Sequence, residues 1–287
     1  MKKISVLIIC LLAAPVLIFS MSITDDVGRT VEVKGPVNKI VCISPAHTEM
    51  IYYLGLESKL AAVSKNCDYP AQAKLLPKAG DFMNPDEEQI IKLGPQAVIS
   101  GGGVQKSAIY KLESMGVAVI VLYPRELSEI ASDMRKLNML LGGGRKAEKR
   151  IAEFEKKLKK AVSLKRDKIK VYAEIWGEPL MAVSENSFTG KLINAAGGQN
   201  VVASDNGEYP KISKEEIIKA NPEKILLFYN PEKNYLKRPY FLATKAGKNK
   251  TITAVTGETL DRIMRPGPRV VEAIEELKIL LQEDALK

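Results

Sequence analysis

One long amphipathic helix divides this chain, and the same kind of strand–helix alternation stands on either side of it. From Gly142 the sequence runs GGGRKAEKRIAEFEKKLKKAVSLKRDK. Its apolar residues Ala147, Ile151, Phe154, Leu158, Ala161 and Val162 recur at steps of three and four, which places them on one face of a helix. Before it, the apolar runs KIVCIS, LAAVS, QAVIS and VAVIVLY are separated by TEMIYYLGL, NPDEEQIIKLG and KSAIYKLESMG. After it come KVYAEI, SFTGKLINAAGG, SKEEIIKANPEKILLFY and a last helix, GPRVVEAIEELKILLQ. Strands that are apolar throughout and spaced by helices belong to parallel sheets covered on both faces. At 287 residues the chain is long enough for two such cores.

An internal echo strengthens this division. EEQIIKLGPQAVI in the first half and KEEIIKANPEKIL in the second superpose at Ile90/Ile217, Ile91/Ile218, Lys92/Lys219 and Pro95/Pro222. Each reads as helix, proline turn and apolar strand, one copy on each side of the long helix. The expected organisation is α/β: a leader or anchor over residues 1–22, a first lobe over 23–141, a linker helix over 142–167 and a second lobe over 168–287. A cleft between two such lobes, at the carboxyl ends of the strands, is the expected ligand site.

The N-terminus points out of the cytoplasm. MKK is followed by an apolar run from Ile4 to Phe19, broken only by Ser5, Cys10 and Pro15, and then by small residues at Ser20 and Ser22. That is the pattern of a secretory leader cleaved after Ser22. A retained anchor is the competing reading, because the run nearly reaches the ~18 residues of a span. Cys10 lacks the small residues of a lipidation box around it, so lipidation is not expected. The formal charge of +9 invites a nucleic-acid reading, but the lysines are scattered among acidic neighbours, as on a solvated helix face. No nucleic-acid partner is expected. Cys42 and Cys67 are either a disulfide or two buried thiols.

The turn SPAHTEMIYYLGL carries the single histidine, His47, and a carboxylate, Glu49. One histidine does not make a His-rich metal site, and Ser44 as N-cap with Pro45 in the first helical position explains the turn. No resident metal is expected. Nor is a catalytic residue: GxSxG is missing, and Gly101-Gly102-Gly103 lacks the GK[ST] ending of a phosphate loop. Glycines at a strand end also turn tightly or admit a ligand. In SKEE, Ser213 and Glu216 form a capping box, which leaves Glu215 pointing outward. Glu49 and Glu215, near the first turns of helices in the two halves, suit a partner with two matching cations.

ITDDVGRTVEVKGPVNKIVCISPAHTEMIYYLGL, DYP, AGDFMNPDEEQIIKLGPQAVIS, YPKISKEEIIKANPEKIL and RPGPRVVEAIEEL together resemble the substrate-binding proteins of ABC importers for ferric siderophores, haem and cobalamin. The likeness runs in order from Ile23 to Leu281. It implies two Rossmann-like lobes with parallel sheets joined by one long helix, the class III periplasmic-binding-protein fold. It further implies an exported, non-enzymatic, monomeric protein without a cofactor of its own. Its ligand would be an iron- or cobalt-containing chelate, and its partner a permease dimer with ATPase subunits, docked through Glu49 and Glu215. A chelate sensor or scaffold without transport is the alternative. Family ligand positions fall near Asn66, Phe82, Gly101, Gly102, Gly103, Gln105, Trp176, Tyr209, Asp261, Arg262 and Arg265. Asparagine at Asn66 and glycine at Gly101 stand where the cobalamin binder has aromatic residues, so the resemblance locates the cleft without naming the ligand. Trp176 and Tyr209 offer flat apolar surface, and Arg262, Arg265 and Lys106 are cations for an anionic chelate.

Overall fold

A computed structural model describes residues 20–162, 168–203 and 207–282. The described chain opens on a hairpin, β1 (Ser20–Thr24) with β2 (Thr30–Lys34), which buries Ile23 and Val33. Residues 1–19 of the expected leader lie outside the described residues, and the expected cleavage after Ser22 falls within β1. No described helix is long and apolar enough to cross a membrane.

The first sheet is parallel, in the order β4-β3-β5-β6, from β3 (Ile40–Cys42), β4 (Leu60–Val63), β5 (Ala97–Ser100) and β6 (Val119–Val121). Between these strands lie α1 (Pro45–Leu54), α2 (Glu87–Leu93) and α3 (Lys106–Ser114). The second sheet contains β7 (Ile169–Gly177), β9 (Gly198–Asn200), β10 (Lys224–Leu227) and β11 (Ile252–Ala254), with the parallel order β9-β7-β10-β11. That order repeats the first sheet strand for strand. One addition breaks the match: β8 (Leu180–Ala182) runs antiparallel against the far half of β7, past a register shift between Glu174 and Trp176. The helices of this half are α6 (Phe188–Ala195), α7 (Lys214–Ala220), the short α8 (Pro239–Leu242) and α9 (Lys245–Lys248), α10 (Gly257–Met264) and α11 (Val270–Gln282).

The sequence echo is a structural one. α2 starts at Asp86, whose side chain accepts from the Gln89 amide, and α7 starts at Ser213 with the capping box to Glu216 formed. Both helices end in a left-handed residue, Gly94 at φ 59° and Asn221 at φ 46°. Glycine takes that conformation freely, and asparagine is among the few side chains that tolerate it. A proline and the next strand follow in both copies.

The expected linker is α5 (Gly144–Val162); residues 163–167 of the predicted span lie outside the described residues. It is preceded by α4 (Glu129–Leu141), which ends at Gly142 with φ 70°. α5 buries Ala147, Ile151, Phe154, Leu158 and Ala161. It packs on α1 and α4 on one side and on α11 on the other. One apolar cluster therefore runs without a break from Met50 and Met134 through Ile151 and Phe154 to Ile274 and Leu226. The linker is part of a core shared by both sheets, and bending it would open that core to water.

Cys42 and Cys67 are free and buried. Burial, reinforced by the neighbouring Cys67, pushes the Cys42 thiol up to about 12. A thiolate is the reactive form, so thiol reagents applied to native protein are expected to label neither residue, and both after unfolding. Peptide mapping by mass spectrometry reads this directly, and native labelling at either position would contradict the packing.

Candidate functional site

The carboxyl ends of both sheets face a cavity of about 310 Å³. From the first half it takes Ser44–His47 after β3, Asn66 after β4, Phe82, Gly101 after β5 and Tyr123–Arg125 after β6. From the second it takes Phe188 and Thr189 at the start of α6, Glu208, Tyr209 and Met264–Pro266. α1 and α6 occupy matching positions in the two halves, so two helix N-termini meet at one cavity. Helix N-termini favour negative charge. The walls between them are largely aromatic or apolar, as small-molecule sites usually are.

The two halves touch around this cavity through polar contacts. The Tyr123 hydroxyl donates to Glu208 at 2.6 Å. Burial first, then this bond to a carboxylate, keeps the proton on Tyr123. Lys191 of α6 pairs with Glu126 and donates to the Arg125 carbonyl. On the other flank, Arg265 reaches Asp68 at 2.7 Å, Glu49 at 3.1 Å and Asp261 at 2.9 Å. Burial opposes ionisation of Asp68, but the hydrogen bond and charge of Arg265 outweigh it and hold the carboxyl below its usual range. Arg269 grips Glu49 with two bonds of 2.8 and 2.6 Å, and its guanidinium lies 3.8 Å over the Tyr69 ring.

This overturns the exposed position expected for Glu49. Its residue is only 3% exposed, because α1 turns its carboxylate inward onto two arginines from the far end of the chain. Its carboxylate is held by Arg265 and Arg269. Glu215 is exposed, as expected. The residue that matches it is Glu88: each is the second residue of the echoed helix, one after Glu87 in α2 and one after Lys214 in α7, and Glu88 is also exposed.

Of the residues expected at the ligand, Asn66, Phe82, Gly101, Tyr209 and Arg265 line the cavity. The others do not. Gln105 is buried as a bracket: its amide donates to the carbonyls of Ile43 and Phe82 and accepts from the Gly101 amide and the Ser100 hydroxyl. Gly102 and Gly103 take positive φ, 69° and 57°, in the turn leading to α3. Trp176 is 55% exposed at the β7–β8 turn, beside Tyr229, with its ring N–H donating to the Glu178 carbonyl. Asp261 holds Arg265, and Arg262 is bound by Glu276 and Glu258. Lys106 lies over the Tyr110 ring. The free cation at the cavity is instead Arg125, whose guanidinium has no ion-pair partner among the described residues.

Ser44, His47, Tyr123, Arg125, Phe188, Thr189, Glu208 and Met264 were not anticipated. Several follow directly on a strand or open a helix, so a scan of residues just past each apolar run would have found Ser44, His47, Tyr123 and Arg125. Ser44 is the N-cap of α1 with Pro45 next to it, yet its hydroxyl makes no capping bond and pairs with His47 Nδ1 at 2.7 Å. No cluster of metal-ligating side chains occurs among the described residues.

The model of the family described as "Periplasmic binding protein" matches residues 40–258. An ABC transporter substrate-binding lipoprotein of Bacillus subtilis, YvrC, is 28% identical over 281 residues, covering 94% of this chain and 88% of that one. A vitamin B12-binding protein of Vibrio campbellii is 30% identical over 192 residues, 66% of this chain and 70% of its own. Among solved structures, a possible iron-binding periplasmic solute-binding protein of Staphylococcus epidermidis superposes with a TM-score of 0.74 at 25% identity, covering 87% of this chain and all of that one.

Proposed function

Because the chain belongs to the periplasmic binding protein family, we propose that its cavity carries a compact anionic metal chelate, of the ferric siderophore type, to an ABC importer. Relatives named for vitamin B12 and for iron support the class of cargo. One observation favours the anionic, compact member of that class. The cavity measures about 310 Å³, the low end of the usual ~300–1,000 Å³. Two helix N-termini and the unpaired Arg125 face it, while its one carboxylate, Glu208, accepts from Tyr123 and Arg265 is held by Asp68, Glu49 and Asp261. Oxygen-rich iron chelates offer the negative charge those groups attract, while Phe82, Tyr123 and Tyr209 cover their apolar edges.

Purified protein incubated with ferric catecholate, ferric hydroxamate, haemin or cyanocobalamin and then desalted should retain a ferric chelate, read by absorbance and native mass spectrometry. Retention of cyanocobalamin alone would overturn the choice, and retention of none would overturn the transport reading. Tyr209→Ala should weaken retention about ten- to hundredfold, since a buried aromatic face is worth roughly 1–3 kcal/mol. Trp176→Ala, outside the cavity, should not. Equal losses in both variants would displace the site.

The partner is the permease, and the surface that meets it is marked by Glu88 and Glu215. Their equivalence under the internal repeat puts one carboxylate on each lobe at matching places, as a two-fold symmetric permease would require. Glu49 has no part in this contact.

A further inference from the structure

At the cavity floor, a pair of buried polar atoms faces each other without a hydrogen bond. His47 is 1% exposed and lines the cavity. Its Nδ1 lies 2.7 Å from Ser44 Oγ. Its Nε2 has no hydrogen-bond partner, and neither does Oδ2 of Asp133, 3.8 Å away on α4. Buried polar groups without partners are costly, and here the two orphans are an imidazole nitrogen and a carboxylate oxygen within ion-pair distance.

The surroundings determine which protonation states are available. Asp133 Oδ1 is 3.3 Å from Lys136 Nζ, and Lys136 also pairs with Asp26, in the turn after β1. Asp26 in turn accepts from the Tyr123 amide. On the cavity side the ionisable groups are Tyr123, Arg125, Glu208, Tyr209 and Arg265. Burial raises the Asp133 carboxyl, with His47 and Lys136 acting against that shift and Asp26 adding to it. The Lys136 cation and the imidazole thus share one buried carboxylate.

We infer that Ser44, His47 and Asp133 form a proton-gated selector, in which uptake of one proton by His47 turns the Ser44 hydroxyl from an acceptor into a donor toward the ligand. With His47 neutral, Nε2–H faces Asp133 and the bare Nδ1 accepts the Ser44 O–H, so Ser44 shows the cavity only lone pairs. A proton from solvent adds to Nδ1. Nδ1–H then donates to Ser44 Oγ, and the Ser44 O–H swings into the cavity, where it meets an acceptor oxygen. The imidazolium stays opposite the Asp133 carboxylate. Imidazole is the side chain suited to this near neutral pH. By linkage, a ligand that places a carboxylate, catecholate or hydroxamate oxygen at Ser44 raises the affinity of His47 for its proton, and lowering pH raises affinity for that ligand. One proton allows up to about tenfold per pH unit.

The selector rests on the reading of the cavity as the ligand site, but its first test needs no ligand. Protein carrying ¹⁵N-labelled histidine has a single imidazole to observe. At alkaline pH, Nε2 should show the protonated shift and Nδ1 the bare one, with both protonated on acidification. Asp133→Asn, close in shape, should move the midpoint to lower pH, as loss of a facing carboxylate does. A protonated Nδ1 at alkaline pH, or an unmoved midpoint in Asp133→Asn, would overturn the relay even if a chelate binds. With a ferric trihydroxamate as the probe, whose iron coordination does not change over the range used, retained affinity should rise as pH falls in the wild type and be flat in His47→Asn. A flat wild-type profile would overturn the coupling, whereas a screen in which no chelate is retained overturns the transport reading and leaves the imidazole test standing.

Discussion

Replacing Glu88 and Glu215 together by arginine should stop chelate uptake while leaving the protein folded and its ligand bound. Both carboxylates are exposed on matching helices, so neither contributes much to stability. In the docked complex, charge-assisted contacts of this kind are worth about 1.5–3 kcal/mol each. Losing both weakens docking roughly 10²- to 10⁴-fold, and cation now faces cation as well. Uptake of labelled chelate by cells expressing the variant, with binding and melting temperature measured on the purified protein, checks this. Wild-type uptake, or a loss of ligand binding, would sink the docking assignment. The same exchange at Glu49 should instead unfold the protein or lower its yield.

A large stability loss is the expected outcome of Arg269→Ala. The Glu49–Arg269 pair is buried, has two short bonds and is stacked on Tyr69. Removing one partner leaves a buried carboxylate with Arg265 alone beside it, at a cost of about 3–5 kcal/mol. At roughly 2–4 °C per kcal/mol, the melting temperature should fall by roughly 6–20 °C. Glu49→Gln combined with Arg269→Gln should recover part of the loss, because no bare charge remains. A single variant that melts within two or three degrees of wild type, roughly the effect of one kcal/mol, would show that the pair is dispensable.

The neighbouring Asp68–Arg265 contact gives the pH dependence its sign. The Asp68 carboxyl is held low in the folded state. Its contribution is therefore full above its unfolded value, about 3.9, and is lost as pH falls through the folded value below that. The flank should hold across the neutral range and loosen only in strong acid.

Local pattern carried much of the fold. The apolar strands, Pro45 at the start of α1, the capping box at Ser213–Glu216 and the echo at Ile90/Ile217 each arise from contacts a few residues long and each appears in the structure, whereas the Ser44 hydroxyl turns to His47 in place of capping α1. α4 is open to the same reading through Ile130, Met134, Leu137 and Leu141 before Gly142. β8 and the placement of Trp176 depend on a register shift in β7, which side-chain periodicity does not encode. Glu49 is the clearest case. Nothing near it in sequence predicts burial, since the arginines that neutralise it lie 216 and 220 residues away. Glu88, by contrast, is legible locally, since the echo that aligns Ile90 with Ile217 also aligns Glu88 with Glu215.

That distance also orders assembly. The residues up to Val121 contain every strand of the first sheet, but Glu49 stays uncompensated until Arg265 and Arg269, between α10 and α11, have been made. The last stretch of chain to be made thus completes the first helix of the sequence. A chain truncated before Arg269 would present its N-terminal half with a carboxylate aimed into the core and water drawn in behind it. Such a fragment would also lack α11 with its buried Val270, Ile274 and Leu277, so the unpaired charge and the opened core would appear together.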